Sequence, residues 1–275
     1  KKMYELMGEL KHCHIMQLPP GAGGKGALEF WKTEVESVKE DLEQFYGIEI
    51  TEEKLRQAIR LRNRERKGIL DFYEVGRLKP TPISGYELNT VVTSNDYAFD
   101  IEEKIKYLER RTQELIDLYE KEYKGKKSEP RILITGCPTH GVIDKVIKRI
   151  EELGADVVGF ENCCGPREKK DPIDEEKDPI TAIAEKYLRV NCSVMSPNPG
   201  RFKAMGEQID EYQVDGVIEV LLQACHTFAV ESDAVKRFVT EEKGIPYLAI
   251  TTDYSMTDQG QIDTRIGAFI ELMDC

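Results

Sequence analysis

The chain has 275 residues, 40% of them apolar and 33% charged, and 51 Asp and Glu outweigh 39 Lys and Arg to give a net charge of −12. That length suffices for more than one domain with a buried core, while an acidic surface repels phosphate backbones and argues against nucleic acid as a partner. No apolar run approaches the roughly 18 residues of a membrane span, the best candidate (217–224) being interrupted by Glu219, and no basic-then-apolar leader is seen, so a cytoplasmic protein with no membrane partner is expected.

The opening, KKMYELMGEL, reads as mid-helix, with neither an initiator Met nor a cap, and implies a missing upstream part. A helix over 2–10 and a short strand over 14–18 are expected, the strand stopping at Pro19-Pro20 before a glycine-rich loop. From 27 to 46, Leu28, Trp31, Val35, Val38, Leu42 and Phe45 recur every three or four residues, the period of an amphipathic helix. Gly47 ends it, and Thr51 opens a second helix whose stripe runs through Leu55, Ile59, Ile69 and Phe72 to Val75. A loop with Pro80, Pro82 and Gly85 precedes a third long helix over 100–123.

After Pro130 the period changes. RILITG, ADVVGFE, VDGVIEVL and IPYLAIT read as strands, with helices over 142–153, 179–188, 201–212, 231–243 and 261–273. Strands alternating with helices of this length predict a parallel sheet in an α/β layered domain. The expected organisation is a remnant of an upstream α/β domain over 1–26, a helical connecting region over 27–128, and an α/β domain over 129–275 that binds the cofactor.

Seven cysteines are an odd number in a chain of this size, which makes a disulfide framework a poor reading. Cys137 follows RILITG, Cys163-Cys164 follow ADVVGFE, Cys192 lies in RVNCSVM and Cys225 follows VIEVLLQA. In an open parallel sheet the strand ends share one edge, where ligands bind, so these five are expected near one edge. Their loops, GCPTHG, NCCGPR and ACH, are small and admit close backbone approach. Thiolates favour zinc and iron–sulfur clusters, although buried cysteines also serve as small hydrophobes. The paired CxxC spacing of a structural zinc site is absent, so iron–sulfur ligation from dispersed loops is the better reading.

Other signals are weaker. His12 and His14 would share a face of the early strand, with Cys13 opposite, as an HxH metal pair or as two edge histidines. His140 and His226 sit beside Cys137 and Cys225, where they would hydrogen-bond sulfur, donate protons or cap helices. GAGGKG at 21–26 lacks the Walker spacing and reads as a linker. The run REKKDPIDEEKDP reads as a solvated loop or, lying next to the cysteine edge, as a lid, and Tyr254 as a packed loop residue or a proton donor.

The strings KKMYELM…HIMQLP, PISGYE, NCCGPREKK, CSVMSPNPGR, YQVDGVIEVLLQACHTFAVES and IPYLAITTDYSMTDQGQIDTRIGAFIE together resemble the benzoyl-CoA reductase / 2-hydroxyacyl-CoA dehydratase family, and within it most resemble the double-cubane cluster proteins. The resemblance spans essentially the whole chain. It implies flavodoxin/Rossmann-like α/β domains joined by helices, a double-cubane [8Fe-9S] cluster, and a homodimer. It further implies a cytoplasmic, anaerobic oxidoreductase that takes low-potential electrons from an ATP-hydrolysing iron–sulfur activator and reduces a small molecule. The dehydratase branch implies instead a [4Fe-4S] cluster and an acyl-CoA, and a non-catalytic electron relay is the third alternative.

Carried onto this sequence, the resemblance implies Cys164, Cys192 and Cys225 as cluster ligands, with Cys163 the alternative to its neighbour. From their placing beside these cysteines and after the last strand, His226, and more weakly His140 and Tyr254, are the candidate proton donors. Further ligands are expected upstream, Cys137 stays open, and Cys13 and Cys275 are read as incidental.

Overall fold

The computed structural model describes residues 2–95, 98–163 and 165–273. The chain forms two compact units: 1–63 with 171–198, and 64–170 with 199–275.

The first unit is helical. It contains α1 (Lys2–Gly8), α2 (Ala27–Tyr46), the first half of α3 (Glu52–Glu74) and α7 (Pro179–Leu188). Its cores are small: Ala27 and Trp31 of α2 pack on Ala184 and Leu188 of α7, and Ile59 packs on Ile173 and Ala182. The excursion 171–198 is stitched to the first 63 residues by backbone as well. The Asn63 amide accepts from Ile173 N–H at 2.9 Å and donates to its carbonyl at 2.8 Å, and Ser196 N–H donates to Pro20 O at 3.1 Å. The strand expected over 14–18 does not form; the segment is irregular, and among the described residues this unit has no strand for it to pair with. GAGGKG turns directly into α2 through Gly26.

The second unit is built on a parallel sheet of β1 (Arg131–Gly136), β2 (Asp156–Asn162), β3 (Gly216–Leu222) and β4 (Tyr247–Thr252), in the order β2-β1-β3-β4. The expected α/β class is thus observed, a Rossmann-like layered fold. The strands are apolar runs because both faces are covered. Ile132 and Ile134 point to one layer with Ile218, Val220 and Ile250, while Leu133 points to the other with Val158 and Val217. The first layer holds the second half of α3, α4 (Gly85–Asn95), α5 (Ile101–Leu118), α6 (Lys148–Glu152) and α10 (Gln259–Glu271). The second holds α8 (Pro199–Glu211) and α9 (His226–Arg237). Helix α4 stands where a loop was expected. Helix α9 starts five residues before its expected position, and α5 and α9 each end in a π-turn (Tyr119–Tyr123 and Phe238–Glu242).

Candidate functional site

Between β1 and β3 the chain reverses its direction of travel across the sheet, since β2 lies on one side of β1 and β3 on the other. Ligands of open α/β sheets bind outside the carboxyl ends at such a reversal. The loop after β1 begins with Cys137, that after β2 with Cys163, that after β3 carries Cys225, and that after β4 carries Tyr254.

Cys137 and Cys225 meet at the reversal. Cys137 N–H donates to Val220 O at 2.7 Å, Leu222 N–H donates to Cys137 Sγ at 3.3 Å, and Cys225 packs against the Cys137 side chain. Gly136 permits the approach: its φ is +96°, and a Cβ there would lie 2.3 Å from Val220 O. Burial pushes the Cys137 thiol up to about 12, so it is a neutral group and no ready thiolate. Cys225 is half-buried at the N-cap of α9, with Sγ 3.8 Å from Thr227 Oγ1. The unsatisfied amides of a first helical turn favour negative charge there.

Cys163 is exposed at the end of β2, and Gly165 folds back against that strand so closely that a Cβ would be 2.0 Å from Phe160 O. Cys164 and Cys275 lie outside the described residues. Cys192 belongs to the first unit, half-buried, its carbonyl accepting from Met195 N–H at 3.0 Å and from the Asn198 amide at 2.9 Å. Within the second unit the sheet edge therefore gathers Cys137, Cys163 and Cys225.

His140 and His226 are exposed beside this edge, His226 as the first residue of α9. Tyr254 is 69% exposed, its ring so close to Gly141 that a Cβ there would be 2.3 Å from Cε1. Lys145, buried, holds this last loop: its ammonium donates to the carbonyls of Asp253 (3.1 Å) and Ser255 and pairs with Asp258. That hydrogen bond holds the Asp258 carboxyl below the usual carboxylate range. His12 and His14 instead both turn to Asp41 of α2, at 2.8 and 3.5 Å, and Cys13 is exposed.

Beneath the edge lies a buried charged network that the sequence reading did not isolate. Glu161 of β2 binds the Arg167 guanidinium through Oε1 (2.6 Å), and through Oε2 it binds Thr135 Oγ1 (2.6 Å) and Arg201 Nε (3.3 Å). Arg201 of α8, 0% exposed, donates also to Thr135 Oγ1 at 3.0 Å and pairs with Glu231 of α9. Glu219 of β3 accepts from Ser232 at 2.7 Å and from Tyr247. Arg167 is thus locked under the crevice, contrary to the expected solvated run. A carboxylate inside the apolar string VIEVLL was the signal that could have pointed here.

Among the described residues no three His, Cys, Asp or Glu side chains close on a single-metal point. The ends of β2 and β3 lie two strand spacings apart, about 10 Å. That span suits the several sulfur-bridged irons of a cluster, and the donors are thiols, so the set fits an iron–sulfur group better than one zinc.

Among the described residues no helix is long and apolar enough to cross a membrane. The family described as 2-hydroxyglutaryl-CoA dehydratase, D-component, matches residues 1–273. The chain is 45% identical over 273 residues to the putative dehydratase subunit YjiM of Escherichia coli K12, covering 99% of this chain and 71% of that protein. It is 28% identical to the (R)-phenyllactyl-CoA dehydratase beta subunit of Clostridium sporogenes (93% and 67% covered) and 20% identical to a benzoyl-CoA reductase subunit of Thauera aromatica (98% and 69% covered). The family expected from the motifs is the one found, and the chain belongs to the 2-hydroxyglutaryl-CoA dehydratase D-component family.

Proposed function

We propose that this chain is the iron–sulfur component of an oxidoreductase of its family, with Cys225, Cys192 and Cys164 or Cys163 as cluster ligands. The observation that carries the reading is the meeting of the cysteine loops at the reversal edge of the sheet, in a chain whose relatives are named as dehydratase and reductase subunits. When bound, such a cluster supplies electrons at low potential. The chain's own residues do the rest. The first turn of α9 favours the Cys225 thiolate, the neutral Cys137 thiol packs beside it, and the glycines let the backbone approach. His226, and secondarily His140 and Tyr254, stand exposed on the rim as proton donors.

In the first reading the cluster is a double cubane, charged by an ATP-hydrolysing iron–sulfur partner in a cytoplasmic, anaerobic setting, and a homodimer reduces a small molecule. The second reading is 2-hydroxyacyl-CoA dehydration with a [4Fe-4S] cluster, favoured by the names of YjiM and the phenyllactyl-CoA enzyme. Iron and acid-labile sulfide per chain, on anaerobically purified protein, decide between them. About eight irons with about nine sulfides support the first, about four irons the second, and no iron overturns both. In loaded protein His226→Ala is expected to keep its iron and lose about 100-fold in turnover; unchanged turnover removes that role.

A further inference from the structure

Lys145 lies in a π-turn, Ile143–Ile147, between β1 and α6. It is 2% exposed and stands next to the buried Val146 and Ile147. An ammonium in such a place is costly unless its protons are bonded. Among the described residues its acceptors all lie on one loop, the one after β4. They are the carbonyls of Asp253 (3.1 Å) and Ser255 and the Asp258 carboxylate, so the two carbonyls grip the backbone on either side of Tyr254. The loop braces itself as well: Asp253 Oδ1 accepts from Ser255 N–H at 2.8 Å, and Thr252 Oγ1 donates to Asp258 Oδ2 at 2.8 Å. Gln259 of α10 donates from its amide to Lys145 O at 3.2 Å, tying the lysine's own backbone to the same segment.

The segment so held is the seat of Tyr254. A Cβ at Gly141 would lie 2.3 Å from Tyr254 Cε1 and 2.5 Å from Cδ1, closer than real contacts allow, so the ring rests on a residue that needs to lack a side chain. The two contacting segments follow β4 and β1, and β3 lies between those strands. Both lead into helices of the first layer, α10 and α6, whereas the loop after β3 leads into α9 of the second. Tyr254 therefore spans the end of β3 on the first-layer side of the crevice, with His226 at the start of α9 on the other side.

We propose that Lys145 is the positioning residue of Tyr254, fixing the backbone on both sides of it so that its ring stays seated on Gly141 at the wall of the crevice. A lysine that merely filled the core would be replaced by a methionine of similar length without consequence for the tyrosine. Three polar contacts to one short loop need the ammonium instead, and the π-turn that carries it is a local form found frequently at functional sites. The clamp stands on these contacts, whereas the use of Tyr254 as a proton donor rests on the functional reading above.

Nuclear magnetic resonance of the full chain with labelled tyrosine and glycine tests the clamp. A cross-relaxation contact between the Tyr254 ring and the Gly141 α-protons is expected in the wild type and lost in Lys145→Met. Its absence from the wild type, or its full retention in folded Lys145→Met, overturns the clamp. If Lys145→Met does not fold, Asp258→Ala, which removes one acceptor at a partly exposed position, decides in its place: a weakened contact supports the clamp and an unchanged one overturns it. In iron-loaded protein offered (R)-phenyllactyl-CoA, the substrate named for a relative, Tyr254→Phe and Lys145→Met are each expected to lower kcat by about 100-fold with KM unchanged. The double variant should fall no further than Tyr254→Phe, because the two residues act as a unit; multiplying losses overturn the positioning role. No turnover by the wild type, or unchanged turnover in Tyr254→Phe, removes the proton-donor reading of Tyr254 and leaves the resonance contact to decide on Lys145.

Discussion

The two ends of the sheet each bury an arginine completely, and they satisfy it in opposite ways. At the amino end, Arg131 opens β1 and donates to three backbone carbonyls, Tyr212 (2.8 Å), Gly76 (2.8 Å) and Leu78 (3.0 Å). Burial accordingly lowers the pKa of that guanidinium. At the carboxyl end, burial also works against the Arg201 charge, but Glu161, Glu231 and Glu219 more than offset it. The first arginine joins segments distant in sequence through neutral dipoles. The second is held by ionisable carboxyl groups, beneath the strand ends that lead to Cys137 and Cys163. The comparison separates a group that holds the fold from one that sets the electrostatics of a site.

The largest effect is expected at the charged end. Arg201→Met leaves buried carboxylates without their cation and should cost about 4–5 kcal/mol by urea denaturation near neutral pH, with much of the loss recovered as pH falls and the carboxyl groups protonate. Arg131→Met orphans three carbonyls, which do not titrate, and should cost about 3 kcal/mol with a shallower pH dependence, set only by Asp156 and Asp215 nearby. If both losses show the same pH dependence, the contrast drawn between the two ends is wrong.

A smaller effect sharpens the same point away from the crevice. Glu151 of α6 caps α4 by accepting from the N–H groups of Gly85 and Tyr86, and burial raises its carboxyl to about 7. Because the folded chain holds that proton more tightly than the unfolded one, Glu151 contributes a loss of stability as pH rises from the ordinary carboxylate range to about 7. Glu151→Gln should flatten that dependence by about 1–2 kcal/mol in melts across the window, and an unchanged slope would assign it to other groups.

Much of the second unit was legible. Each strand is a short apolar run between turn residues, and burial on both faces of a parallel sheet leaves that mark. Helix α4 was hidden because Pro80, Pro82 and Gly85 read as a loop, although Ser84 and Glu87 form the start of a capping box, with Glu87 N–H donating to Ser84 Oγ at 3.0 Å. Part of its cap also comes from Glu151, 66 residues away, which no local window can show. The strand expected over 14–18 had the right local pattern, but a strand needs a partner's backbone. That 171–198 folds with the first 63 residues was likewise out of reach, since it depends on Asn63 and Pro20 meeting backbone more than 100 residues on.

By itself, then, the sequence determined the layered α/β class, the placing of Cys137, Cys163 and Cys225 after strands, and the family, because strand periodicity and short motifs are local properties of the chain. Only the tertiary structure decided that Cys137 is a neutral thiol against Cys225, that Cys192 belongs to the other unit, and that Glu161, Arg167, Arg201, Glu219 and Tyr247 form one network. Burial, charge balance and hydrogen bonds between strands that are distant in sequence exist only once the sheet has closed.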